Sequence, residues 1–263
     1  MNLGGRTALV TGASGGLGQA IARSLVRRGA SVVLTARRTD VLESLAAELG
    51  GRAVACDLSD RASVERLVEE AGPVDVLVAN AGIPASGAID SFSLEEIDRA
   101  IDVNLRAPMV LARLMCDGMA ERGGGQIVFV SSLSGKAGTA GSSIYAATKF
   151  GLRGFAQGLR EDLRPRGVGV STVFPGFIRD AGMFHESGAK LPGYVGTKRP
   201  ADVAAAVISA IERDRSEVVV APVPLRLGTA VAGLVPEVAA TVQRKLGADK
   251  VAEQFVDGQR DKR

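Results

Sequence analysis

Short runs of aliphatic and β-branched residues recur along this chain, and between them apolar positions return every three or four residues. The short runs predict strands near 6–11, 31–36, 52–56, 74–79, 126–131, 168–174 and 217–221. The periodic stretches predict helices near 16–29, 40–50, 60–71, 94–120, 143–165 and 200–213. Several strands are apolar almost throughout, as in Gln126-Ile127-Val128-Phe129-Val130, which fits strands covered on both faces. Strand and helix in strict alternation predict an α/β fold, doubly wound, with a seven-stranded, mostly parallel sheet and helices on both faces. Residues 1–221 form one domain on this reading. Residues 176–199 break the rhythm, and a loop of that length in a compact domain is expected to be a lid or binding loop. Residues 222–263 are expected to be a helical extension packed on the same domain. The pattern there is helical from about Pro236, with Val238, Val242, Leu246, Val251 and Phe255 in register, and the charged end from Asp257 to Arg263 is expected to fray.

Composition narrows the functions. Apolar residues make up 46% and charged residues 23%, the balance of a folded protein with a large core. The net charge is only +3 with no basic block, and aromatics are 4% with no Trp, which argues against a nucleic-acid partner. Cys56 and Cys116 lie far apart without a metal-ligand or disulfide spacing. The start, Met1 to Arg6, lacks a charged-then-apolar signal pattern, and no run reaches the roughly 18 apolar residues of a spanning helix. A soluble cytoplasmic protein without a transmembrane segment or a metal is expected.

The candidate chemistry begins at Thr11-Gly12-Ala13-Ser14-Gly15-Gly16-Leu17-Gly18, between the first strand and the first helix. Glycines there let backbone approach a pyrophosphate, and free N–H groups with the positive end of a helix dipole hold its charge. The spacing is Gly-x-x-x-Gly-x-Gly, not Gly-x-Gly-x-x-Gly, so a ligand-free glycine turn remains the alternative. The second strand ends Ala36-Arg37-Arg38, where an NAD-selecting protein would place an acid to hold the ribose hydroxyls. Two guanidinium groups there suit a 2′-phosphate, unless both are simply solvated. Asp40 is the nearest acid and reads as a helix N-cap, with Glu43 completing a capping box. Tyr145 and Lys149 stand four apart in a helical segment and so share a face. An adjacent ammonium favours a phenolate. Lowering a phenol from pKa ~10 to ~7 takes about 4 kcal/mol, which makes Tyr145 a candidate general acid or base. Ser131 and Ser132 end the fifth strand, where open α/β sheets place ligands, and Asn80-Ala81-Gly82 ends the fourth. Asn104 sits inside a helix, where Asn is a mediocre former, and Pro175-Gly176 closes the sixth strand.

Taken in order, Thr11-Gly-x-x-x-Gly16-x-Gly18, Asn80-Ala-Gly82, Asn104, Ser132, Tyr145-x-x-x-Lys149 and Pro175-Gly176 resemble the short-chain dehydrogenase/reductase family over residues 6 to about 221. The resemblance implies a Rossmann-like fold and an NAD(P)-dependent oxidoreductase that interconverts a carbonyl and a secondary alcohol. It makes Tyr145 the proton donor or acceptor. Lys149 would bind the nicotinamide ribose and lower the tyrosine pKa, Ser132 would orient the substrate oxygen, and Asn104 would hold a water linking Lys149 to solvent. Ser132 is preferred to Ser131 because the family serine precedes its tyrosine by thirteen residues. Cofactor contacts are then expected from Gly12, Ser14, Gly16, Leu17, Gly18, Arg37, Arg38, Asp57, Leu58, Asn80, Ala81, Gly82, Tyr145, Lys149, Pro175, Gly176 and Ile178. Asp57 resembles the family's adenine-binding acid, with a plain turn residue as its alternative. Asp180 stands where many members have a Thr near the nicotinamide carboxamide, which leaves that contact to the Ile178 N–H. The arginines at 37 and 38 favour NADP(H), with NAD(H) as the alternative. Phe177, Met183, Phe184, Leu191, Pro192 and Tyr194 give the long loop an apolar character suited to a hydrophobic small-molecule substrate, and His185 is read as a loop residue. A homodimer or homotetramer is expected, a dimer forming through the helices at 94–120 and 143–165. Two other functions stay open: a cofactor-binding regulator without turnover, and an epimerase or dehydratase of the wider superfamily.

Overall fold

Each apolar run forms a strand within a residue or two of its expected limits. A computed structural model describes residues 1–192, 195–235, 237, 241 and 248–259. In chain order the elements are β1 (Thr7–Thr11), α1 (Gly16–Val26), β2 (Ser31–Ala36), α2 (Thr39–Leu49), β3 (Arg52–Ala55), α3 (Arg61–Ala71), β4 (Val76–Ala79), α4 (Leu94–Ile101) and α5 (Ala107–Glu121). There follow β5 (Gly125–Val130), α6 (Ser143–Leu163), β6 (Val168–Pro175), α7 (Gly182–Ser187), α8 (Pro200–Arg213), β7 (Glu217–Val220), α9 (Val223–Leu234) and α10 (Ala248–Asp257).

The sheet order is β3-β2-β1-β4-β5-β6-β7 and every pairing in it is parallel. Parallel neighbours need crossovers, which the helices supply, and the pleat decides what each helix meets. Ala8, Val10, Val32, Leu34, Val76 and Val78 face one layer, where Ile21 and Leu25 of α1, Leu42 of α2 and Val207 of α8 pack on them. The residues between them, Leu9, Val33, Leu77, Ile127 and Phe129, face the other layer and meet Leu67 of α3, Leu111 and Met115 of α5 and Leu152 of α6. Both faces are therefore dry. The winding direction reverses between β1 and β4, which opens a crevice at the carboxyl ends of the strands.

Four local expectations need correction. The stretch 94–120 is not one α-helix, because a π turn at Asp102–Arg106 joins α4 to α5. Pro108 explains it: proline has no N–H for the carbonyl four residues back, which is that of Asn104. Asp40 does not cap α2; Arg38 is the N-cap residue without a side-chain cap bond, and Asp40 lies in the first turn, where its charge still suits the dipole. The loop 176–199 contains the short helix α7. The C-terminal extension turns helical at Val223, directly after Pro222 and with Pro224 in the first turn, well before Pro236. Val238, Val242 and Leu246, the end beyond Gln259 and Tyr194 of the loop lie outside the described residues.

Candidate active site

The glycine turn is shaped by close contact. Gly12 has φ +65°, and a Cβ there would lie 2.8 Å from the Ala81 Cα; a Cβ on Gly18 would collide with the Gly12 carbonyl oxygen. The turn is thus folded onto itself and onto the end of β4, and only hydrogen atoms fit. Asn80 holds that junction. Its Nδ2 donates to the Thr11 carbonyl at 3.0 Å, while the N–H groups of Asn80 and Ala81 donate to Thr11 Oγ1, each at 3.0 Å. Thr11 is a residue whose part the sequence did not disclose. At the start of α1, Gly15 offers no side-chain acceptor, so no side chain caps the first-turn N–H groups that open on the crevice. A diphosphate fits such a cradle. Arg37 and Arg38 stand exposed at the end of β2, Arg38 donating from Nη2 to the Ser14 carbonyl at 2.8 Å. Asp57 accepts from the N–H and hydroxyl of Ser59 at 2.9 and 2.8 Å. Those bonds and the charge of Arg37 hold its carboxyl below the usual range, against the opposing effect of burial.

Ser132, Tyr145 and Lys149 come together where β5 meets α6. Ser132 ends the strand run in extended backbone, its Oγ accepting from the Ser134 N–H at 3.1 Å, and it shares a hydrogen bond with Tyr145. Ser131 points elsewhere, donating to the Lys149 carbonyl at 3.2 Å, so it braces α6 from below. The buried Lys149 Nζ lies 5.6 Å from the centre of the Tyr145 ring and donates to the Val130 carbonyl at 3.2 Å. The expected lowering of the phenol by its neighbour does not arise within the protein itself. Burial pushes Tyr145 up to about 12, with only the Ser132 bond working against it. Burial also pushes Lys149 down to about 8. The geometry explains why the lysine does not offset the burial of the phenol: its ammonium sits over the ring and donates to the Val130 carbonyl, not to the phenolic oxygen.

Asn104, wholly buried in the π turn, accepts from the Ile83 N–H at 2.8 Å through Oδ1 and donates to the Ile83 carbonyl at 3.0 Å through Nδ2. Its side chain therefore clamps the backbone after β4. A Cβ on Gly82 would lie 3.2 Å from Asn104 Oδ1, 3.5 Å from Lys149 Nζ and 3.6 Å from the Met183 Cε, so four separate chain segments meet at this point.

One cavity of about 1750 Å³ joins these groups. Its inner half is lined by the glycine turn, Arg37, Arg38, Asp57, Leu58 and Asn80 to Gly82, and Ser132, Tyr145 and Lys149 stand at the middle. Pro175, Gly176 and Ile178 line it beyond β6; the Ile178 segment is pinned by a parallel bridge to Lys198. Asp180, at the family's Thr position, takes φ +73°, a strained value for a non-glycine residue, and its carboxylate lies 3.7 Å from the Arg179 Nε. Phe177, Met183, Phe184, Leu191 and Pro192 line the outer half, whereas His185 of α7 does not. Leu225, Leu227 and Val231 of α9 and Phe255 and Val256 of α10 complete it. Of these, only Phe255 stood out in the sequence, as part of a helical stripe. Among the described residues no acidic, cysteine or histidine cluster could hold a metal, and no helix is long and apolar enough to cross a membrane.

A parallel doubly wound sheet with a glycine cradle at its switch point, and a Ser–Tyr–Lys group beside it where β5 meets α6, defines a dinucleotide-dependent oxidoreductase. The chain belongs to the short-chain dehydrogenase family, whose model matches residues 6–192. It is similar to the ketoacyl reductase HetN of Nostoc sp., 39% identical over 232 residues that cover 85% of this chain and 81% of the relative. It is also similar to the 3-oxoacyl-(acyl-carrier-protein) reductase FabG of Escherichia coli, 38% identical over 184 residues, 68% of this chain and 75% of the relative. Among solved structures, a short-chain dehydrogenase from Sphingobium yanoikuyae in complex with NADPH superposes with a TM-score of 0.74 at 32% identity, covering 81% of this chain and 87% of that one.

Proposed function

We propose that this enzyme is an NADP(H)-dependent oxidoreductase that interconverts a carbonyl and a secondary alcohol on a hydrophobic substrate, with 3-oxoacyl compounds as the leading class. The observation that carries the reading is the position of Ser132, Tyr145 and Lys149 at the seam of one cavity, glycine-lined on one side and apolar on the other. HetN and FabG are named for ketoacyl reduction, and a 3-oxoacyl group is a carbonyl on an apolar chain. The NADPH of the Sphingobium structure and the pair Arg37 and Arg38 both favour the phosphorylated cofactor.

The bound nicotinamide supplies or accepts hydride. In reduction, Tyr145 gives its hydroxyl proton to the carbonyl oxygen, and Ser132 donates a hydrogen bond to the same oxygen as charge builds there. In oxidation, Tyr145 takes the alcohol proton back. Lys149 holds the ribose and brings positive charge beside the phenol, which must overcome the burial that keeps Tyr145 protonated. Asn104 positions Ile83 and Gly82 beneath this group. The apolar residues of the loop and tail orient the substrate and exclude water.

The test is Tyr145→Phe, assayed by NADPH oxidation with 3-oxo thioesters while NADPH affinity is measured separately. Turnover should fall by ~10²–10⁴-fold with affinity retained. Undiminished turnover would overturn the mechanism, and wild-type protein that binds NADPH but reduces no carbonyl would favour a regulator. We also propose assembly into a homo-oligomer through α4, α5 and α6, because Ile101, Leu114 and Phe150 stand exposed along those helices. Light scattering that shows a monomer at assay concentration would refute it.

A further inference from the structure

The cavity's outer boundary comes from a part of the chain beyond the sheet. On α10 and the turn after it, Ala252, Phe255, Val256 and Gln259 line the cavity. These positions fall at i, i+3, i+4 and i+7, one face of a helix, while Glu253, Gln254 and Asp257 are exposed. The face turned inward is apolar except for Gln259, which is 1% exposed and whose amide oxygen has no hydrogen-bond partner among the described residues.

Specific contacts fix this face in place. Gln259 Nε2 donates to the Met183 carbonyl at 2.8 Å, and the Lys190 N–H donates to Gln254 Oε1 at 3.0 Å. Gly258 presses so closely on Ser187 that a Cβ would collide with its carbonyl oxygen. All three grip the stretch from Met183 to Lys190, which carries the substrate side of the cavity. Across from it, the Val256 Cγ2 lies 3.2 Å from where a Gly141 Cβ would be, on the loop that leads into α6 and Tyr145. The helix therefore spans the cavity from one rim to the other.

We propose that α10 is the end wall of the substrate half, and that Phe255 and Val256 are specificity-determining residues that set the length of apolar chain the enzyme accepts. Gln259 is the positioning residue that holds this wall against Met183. The inference rests on the carbonyl reductase reading and adds what selects its substrate. Side chains at a cavity end discriminate by volume, and one methylene gained or lost in such a pocket changes kcat/KM by about tenfold or more.

The experiment uses the full chain with N-acetylcysteamine thioesters of 3-oxo acids and with 2-alkanones, each series running from four to fourteen carbons. The readout is the ratio of kcat/KM for the longest substrate to that for the shortest. Phe255→Ala should raise this ratio by about tenfold, and Val256→Phe should lower it by a similar factor. Gln259→Ala should flatten the length profile, a change that simple loss of stability would not produce. If Phe255→Ala fails to fold in thermal melts, Phe255→Leu should move the profile in the same direction by less. Length profiles identical to wild type in the Phe255 and Val256 variants overturn the wall. A wild-type enzyme that reduces no member of either series overturns the functional reading itself, and the wall falls with it.

Discussion

The two halves of the cavity are made in different ways. The cofactor half is made of backbone: a turn in which Gly12 and Gly18 leave no room for a Cβ, strand ends tied together by Thr11 and Asn80, and a helix start without a side-chain cap. The substrate half is made of side chains borrowed from a loop and from the C-terminal extension, Phe177, Met183 and Phe184 on one side and Leu225, Phe255 and Val256 on the other. Backbone sterics allow few residues at each position, whereas an apolar wall accepts many. A family can therefore keep one half and vary the other.

The sharpest way to probe this division is at the seam. Tyr145→Phe should cost ~10²–10⁴-fold in turnover with a far smaller loss of NADPH affinity, because the hydroxyl carries the proton transfer and is one cofactor contact among many. Gly18→Ala should do the reverse and strike the cofactor half first. The added methyl meets the Gly12 carbonyl oxygen, so stability should drop by about 1–3 kcal/mol and NADPH affinity should fall with it. Calorimetric titration with NADPH and thermal melts check both, and normal affinity in Gly18→Ala would show that the turn is looser than its packing.

A third test uses pH. Burial holds Lys149 at about 8 and Tyr145 at about 12, against ordinary values of 10.5 and 10.0. From pH 8 to about 10 the unfolded chain carries the lysine proton that the folded chain has lost, so this group adds stability as pH rises. Between pH 10 and about 12 the folded chain keeps the phenolic proton that the unfolded chain has released, so the tyrosine removes stability as pH rises. The melting temperature of wild type minus that of Lys149→Met should climb from pH 8 to 10. A flat difference would mean that the ammonium is better solvated than its burial implies. The smallest effect is expected at the rim, where Arg37→Ala should reduce the preference for NADPH over NADH by about tenfold, the worth of one charge-assisted hydrogen bond. An unchanged ratio in steady-state assays removes Arg37 from cofactor selection.

Much of the cofactor half was legible before any coordinates. The glycine spacing, the strand-end motifs and the Tyr-x-x-x-Lys pair each depend on local geometry, and the structure brings them to one cavity in the expected order. What local reading left open, longer-range effects supplied. Asn104 was visible as an odd helix residue, but its clamp on Ile83 depends on a π turn and on a strand end twenty residues away. For Tyr145, spacing places Lys149 on the same face without saying that its ammonium turns to Val130 or that burial raises the phenol.

By itself the sequence determined the alternation of strands and helices, the parallel order that follows from it, and the family motifs, since hydrophobic period and glycine sterics act over a few residues. Only the tertiary structure decided that α9 and α10 line the cavity, that Gln259 reaches Met183, and that burial opposes the ionisation of Tyr145. Those outcomes depend on which distant surfaces exclude water from one another. No pattern within a single segment encodes that.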